Sequence, residues 1–438
     1  MRLRTLLLIT TMLIAAFCGS IAHAETTPTE AKALAAAAAD KTAYTLPPEK
    51  LAKAVAYDHQ RLWLTAGDFV WGVGQIVLLL VVGAIGWMRD RAVRTSKNRW
   101  VQGLVFLALF LVVTTVLSLP LDLIRQHLAR AYGMSVQGWG SWFGDQGKGI
   151  GLSLLFGWPL VMLFFWVVRK APRTWWFWFW IPAMLAVLFG VFISPVLIDP
   201  LFNKFEPLQA SNPALVEQLE QVVHRGGMDI PPDRMFLMKA SDKVTTLNAY
   251  VTGFGASKRV VVWDTSIAKG TPDEISFIFG HEMGHYVLNH IPKTLVFLGV
   301  LLLVTFYLGY RLVNWLIGHY GEAWRVLSQN DWGMLAVFML VVSVLSFLAN
   351  PMTNAYSRGH EHDADVYGQE AIHGIATDPQ KTAQAAFQLL GENGLSDPYP
   401  SQLEVFWLYS HPPIGLRAGF AKAYDPWAAG EQPKFFKK

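Results

Sequence analysis

The 438-residue chain has one cysteine, Cys18. No disulfide can form within it, and any metal site must use imidazoles and carboxylates rather than thiolates. Charge is also scarce, with 16% of residues Asp, Glu, Lys or Arg against 53% hydrophobic. That balance excludes an ordinary soluble domain and points to the membrane class, with lipid as one surrounding partner. The net charge is only +4, and the basic residues sit in short segments between apolar runs. Without a long basic face, no nucleic-acid partner is expected. Internal repeats are lacking too, and the one low-complexity tract is an Ala run at 35–39.

What is present begins with "MRLRTLLLITTMLIAAFCGSIAHAE", a basic start, an apolar stretch from Leu6 to Phe17 and a small-x-small site at Ala22-His23-Ala24. It reads as a signal peptide, residues 1–24; the competing reading is an uncleaved first span. Residues 25–65 form a polar, Ala-rich segment with Pro47-Pro48, expected as an exposed helix and a linker.

Six apolar runs have the length to cross a bilayer as helices, near 69–88, 101–119, 151–168, 175–197, 293–317 and 332–350. They divide the chain into four spans within 66–200, a polar insert at 201–292, two spans within 293–350 and a C-terminal part at 351–438. The insert reads as a helix at "NPALVEQLEQVVHRGG" and short strands at "RMFLMKA", "LNAYVTG" and "KRVVVWD". The expected fold is therefore mainly α, a multi-pass helical membrane protein with a small inserted α+β unit. The aromatic run "TWWFWFW" at 174–180 reads as an interfacial belt. Loops 89–99 and 169–173 carry five and three basic residues, which places them in the cytoplasm. The insert and the C-terminal part then lie on the periplasmic side of an inner membrane.

Within the insert, "TPDEISFIFGHEMGHYVLNH" opens like a helix: Thr271 can cap, Pro272 suits the first turn and Glu274 completes a capping box. His281 and His285, four apart, share a face and can hold one metal ion, with Glu282 beside them. Zinc held this way acidifies a water, and the adjacent carboxylate can take its proton. A third protein ligand is needed. Glu361 in "SRGHEHDAD" can supply it, and Asp365, one turn on, can accept the free N–H of a ligating His. Two spans separate His285 from Glu361, and an even number of crossings returns the chain to the same side. His360 and His362 are rival ligands on chemistry alone.

"HEMGH", two spans and then Ser357, Arg358, Glu361, Ala364 and Asp365 resemble the Ste24 or type I CAAX prenyl protease group of membrane zinc metallopeptidases, peptidase family M48. "SPVLIDPLFNKFEPL", "NAYVTGFGASKRVVVWDTSI" and "YSHPPIGLR" match it in order. The resemblance implies a zincin-type unit with one Zn2+ per chain, ligated by His281, His285 and Glu361, and Glu282 as catalytic base or acid. It implies His411 and Arg417 as groups contacting substrate or the developing oxyanion. Asn248 and Ala249 match the family's substrate-binding strand, although from pattern alone the stretch reads equally as a hairpin strand. The implied partner is a peptide or protein, lipidated in the CAAX branch, and the implied spans enclose a chamber. An HtpX-like quality-control protease is the neighbouring alternative, and a non-catalytic scaffold with a structural metal is the alternative of another class. The signal-like start and the loop charges differ from the eukaryotic members, whose sites open to the cytosol.

Overall fold

The structure, a computed structural model, describes residues 26–253 and 258–436. The expected signal peptide lies outside the described residues. In chain order the first helices are α1 (Pro28–Ala39), α2 (Pro48–Val81), α3 (Ala84–Thr95), α4 (Arg99–Ala131), α5 (Trp139–Lys170) and α6 (Trp175–Phe192). A four-stranded sheet and helix α7 (Pro213–Arg225) follow, then α8 (Pro272–Val287), α9 (His290–Trp324) and α10 (Met334–Ala371). Helices α11 (Pro379–Asn393), α12 (Gln402–Leu408) and α13 (Ile414–Ala423) complete the chain.

Among the described residues six helices are long and apolar enough to cross a membrane: α2, α4, α5, α6, α9 and α10. Two apolar runs are broken. The first is interrupted after Val81, where Gly83 takes a left-handed conformation (φ 75°) before α3 begins. The fourth ends its long helix at Phe192 and continues as a short helix, Ser194–Leu197. Most of these helices also project well beyond the apolar run: α10 continues for two dozen residues past Phe347 as one helix and so carries a membrane segment and "SRGHEHDAD" together. The membrane core is packed at one end of the bundle by Phe106, Phe164, Phe165, Trp175, Trp332 and Phe338. Trp175 and Phe179 of the aromatic run belong to this core, and only Phe177 and Trp178 face outward.

The sheet comprises β1 (Phe205–Pro207), β2 (Met235–Met238), β3 (Ala249–Thr252) and β4 (Arg259–Trp263) in the order β1-β2-β4-β3. Its β2/β4 pair is parallel and the other two pairs are antiparallel. Strand periodicity divides its faces: Met235, Leu237, Val260 and Val262 point into the core shared with α7, α8 and α11, while Met238, Val261 and Tyr250 pack on the opposite side. β3 is an edge strand lying against α8. Tyr132 and Met134, just past α4, pack on the hydrophobic core of the polar unit, and Ser135 bridges to Val244, so the membrane bundle and the polar unit are continuous.

The N-terminal segment differs from its expected exposed state. Helix α1 lies against α13, with Ala33 and Ala37 buried, and Glu30 is 1% exposed. Small side chains let the two helices approach closely: a Cβ on Gly419 would stand 3.0 Å from Ala37 Cα. Glu30 faces His362 Nε2 at 2.8 Å and Lys434 Nζ at 2.9 Å, which fastens α1 and the segment around Lys434 to α10. The linker is short, because α2 already starts at Pro48.

Candidate metal centre

Helix α8 starts as the sequence requires. Thr271 Oγ1 accepts from Glu274 N at 3.2 Å, and Glu274 Oε2 accepts from Thr271 N at 2.7 Å. Its inner face packs on α10, and there the ligand candidates meet. Nε2 of His281 and Nε2 of His285 are 3.3 Å apart. Glu361 brings Oε2 to 3.3 Å from His281 Nε2 and Oε1 to 3.6 Å from His285 Nε2. One ligand atom from each residue lies within 4.8 Å of the others. His281 and Glu361 are buried. The two rival histidines are elsewhere: His362 faces Glu30, and the His360 ring stacks on His290 at 4.1 Å.

A second layer surrounds these atoms. His281 Nδ1 lies 2.8 Å from Asp365 Oδ1. Arg417 donates to both oxygens of that carboxylate, through Nε at 2.8 Å and Nη2 at 2.6 Å, and its guanidinium covers the Phe387 ring. Its distance to Glu361 Oε2 is longer, 3.7 Å. His411 Nε2 stands 3.1 Å from Glu361 Oε2 on a side chain that is half exposed, so it faces the open side of the centre. Arg358 was prominent in the sequence only as part of a motif. It donates to the carbonyls of Val405 (3.0 Å) and Tyr409 (2.7 Å), holding α12 and the turn that presents His411.

Asn248 is fixed by its backbone: its N–H donates to Ser266 Oγ at 2.9 Å, and its carbonyl accepts from Trp263 N at 3.1 Å. Ala249, buried, opens the edge strand β3 opposite Val262. Both sit on the sheet edge beside the helix that carries the two histidines.

Electrostatics show what the centre requires. Burial opposes a charged His281, yet the Asp365 and Glu361 carboxylates outweigh it and raise the ring to about 10. Burial and the neighbouring His281 push His285 down to about 3. Glu282 is raised to about 7, chiefly by burial. The Asp365 and Glu361 carboxylates on either side of the ring thus favour a charged His281 beside the point where the ligand atoms converge. A set of two imidazoles and one carboxylate without thiolate suits Zn2+, and the surplus negative charge calls for a cation.

These donors, an unligated carboxyl on the same helix and membrane helices on either side define the class: a membrane zinc metallopeptidase. Residues 30–204 match the family described as "CAAX prenyl protease N-terminal, five membrane helices", and residues 209–425 match "Peptidase family M48". The chain is 33% identical over 379 residues to "Uncharacterized metalloprotease YhfN" of Bacillus subtilis (strain 168), covering 86% of each. It is 28% identical to "CAAX prenyl protease 1" of Saccharomyces cerevisiae, over 72% of this chain and 71% of the relative. The crystal structure of S. mikatae Ste24p superposes with a TM-score of 0.74 at 23% identity, covering 89% of this chain and 96% of that one, which shows a common fold. The chain belongs to peptidase family M48; it is a multi-pass integral membrane metallopeptidase with His281, His285 and Glu361 as its zinc site.

Zinc must displace the proton that His281 holds between its carboxylates. Apparent zinc affinity should therefore weaken as pH falls through the range below about 10 in which that ring is charged. Calorimetry in two buffers of different ionisation enthalpy should show about one proton released per zinc. Uptake with no proton release contradicts this reading.

Proposed function

We propose that the protein is an endopeptidase that cleaves peptides or proteins close to the membrane, with a CAAX-protease-like active site. The reading is carried by one observation: Glu282 lies on the same helix as His281 and His285, is not among the converging ligand atoms, and is held up to about 7 by burial. A carboxyl tuned near neutrality is suited to accept and return a proton.

Bound zinc would polarise the scissile carbonyl and acidify the attacking water. Glu282 takes the water's proton and delivers it to the departing amine, so no covalent enzyme intermediate forms. His411 faces the open side and donates to the developing oxyanion. Arg417, whose donors are turned to Asp365, acts by keeping that carboxylate against His281. Substrate adds as a strand along β3, beginning at Asn248 and Ala249.

The loop charges support a periplasmic catalytic side. There a prenyl group is not required of the substrate, and unlipidated segments of membrane or exported proteins are accepted as well. Purified wild type should contain one zinc per chain and cleave members of a panel of prenylated and unprenylated peptides. Glu282→Gln should keep the zinc and lose at least about 100-fold in turnover. Undiminished turnover in that variant defeats the mechanism, and cleavage confined to prenylated peptides defeats the broader substrate reading. A fusion after residue 438 to a phosphatase that is active only in the periplasm should be active; a silent phosphatase with a fluorescent cytoplasmic reporter reverses the orientation.

A further inference from the structure

The two zinc-ligating histidines need the same thing: a proton on Nδ1, so that the Nε2 lone pair is free. For His281 the acceptor is Asp365, 2.8 Å from its Nδ1. No sequence motif names a counterpart for His285. The structure does. Its Nδ1 is 3.0 Å from Nδ1 of His290, a residue 3% exposed.

His290 reaches that place because α8 and α9 are joined by a single tight turn. Asn289 adopts a left-handed conformation (φ 57°, ψ 36°), which Asn tolerates better than most residues, and the next residue folds back over the end of α8. The ring of His290 is then held on its other face. It stacks on His360 at 4.1 Å with planes 3° apart; His360 meets the Tyr356 ring at 4.4 Å, and Tyr356 stacks on Phe297 at 4.2 Å. This column of rings bridges α9 and α10 and fixes the direction in which His290 Nδ1 points.

We propose that His290 is a positioning residue of the zinc centre that selects the tautomer and orientation of His285. One proton lies between the two Nδ1 atoms. If His290 donated it, His285 would carry its own proton on Nε2, the atom that faces His281 and Glu361, and that atom would have no lone pair for a metal. Zinc ligation by His285 therefore requires His290 to be the acceptor, neutral and protonated on Nε2. The two ligands are thereby supported differently: His281 by an anion that is itself tied to Arg417, and His285 by a neutral ring. His290 adds an acceptor without adding charge to a centre that already holds Glu361 and Asp365.

The inference rests on the zinc site, and its test separates the two. Zinc affinity is measured by competition with a chelating dye on the detergent-solubilised full chain, in a Glu282→Gln background that removes turnover. His290→Phe keeps a ring for the stack and removes the acceptor; His290→Asn keeps an acceptor near the Nδ1 position and removes the ring. The Glu282→Gln parent with His290 intact should bind zinc at one site, and failure there overturns the zinc site itself. The Phe variant should lose about 10- to 100-fold in affinity, the usual effect of removing such a partner. The Asn variant should retain more affinity than the Phe variant, with metal-free melting temperatures that do not follow that order. Zinc binding in the Phe variant equal to that of wild type, or stronger than in the Asn variant, overturns the proposal and assigns His290 to packing.

Discussion

The site depends on how closely α8 and α10 approach, and glycines set that distance. A Cβ on Gly368 would stand 2.7 Å from His281 N and 3.0 Å from its Cα; one on Gly280 would stand 3.2 Å from Gly368 Cα. On the next turn a Cβ on Gly284 would meet Tyr367 at 3.1 Å. With backbones this near, the short carboxylate of Asp365, one turn before Gly368, reaches the His281 ring, and Glu361, one turn earlier again, reaches both imidazoles. Because α10 is a single helix from the membrane core to Ala371, the bundle that anchors its first half also sets where Glu361 stands.

Such closeness concentrates buried charge, which is costly unless every group is paired. Here the pairing is graded. Arg417 neutralises Asp365 through two hydrogen bonds, Asp365 faces His281, and Glu361 is left for the metal, with His411 as its neighbour on the open side. Helix α1 and residues 434–436 are fastened to the same helix. Glu30, His362, Lys434 and Asp363 form one cluster, and Glu370 accepts from the backbone of Lys434, Phe435 and Phe436. The face of α10 away from the ligand atoms is thus tied to both terminal segments.

Much of this was legible in the residues. The capping box and the His-Glu-x-x-His spacing placed two ligands on one helix because those signals are local. Glu361 was a candidate that an even number of membrane crossings allowed and the resemblance favoured over His360 and His362, and Asp365 was read from its one-turn offset. The six apolar runs and three of the four strands also stood out. What escaped reading depends on distant contacts. The docking of α1 pairs residues some 330 positions apart, as in Glu30 with His362, and no periodicity encodes it. Arg358 looked like motif punctuation, yet its partners are carbonyls of Val405 and Tyr409. The two hydrogen bonds from Arg417, which the resemblance implies contacts substrate or the developing oxyanion, to Asp365 also join residues 52 positions apart. His290 was visible five residues beyond His285, but a left-handed Asn289 is needed to bring the two rings together.

Helix contact through glycine, rather than the motif alone, makes the zinc centre. Gly368→Ala tests it, because alanine favours the helix and adds one methyl against the backbone of His281. Zinc affinity of that variant, measured on the full chain at fixed pH, should fall at least about tenfold, with the protein still inserted in the membrane. Zinc binding equal to that of the parent would show that the close glycine contact between α8 and α10 does not set the zinc centre.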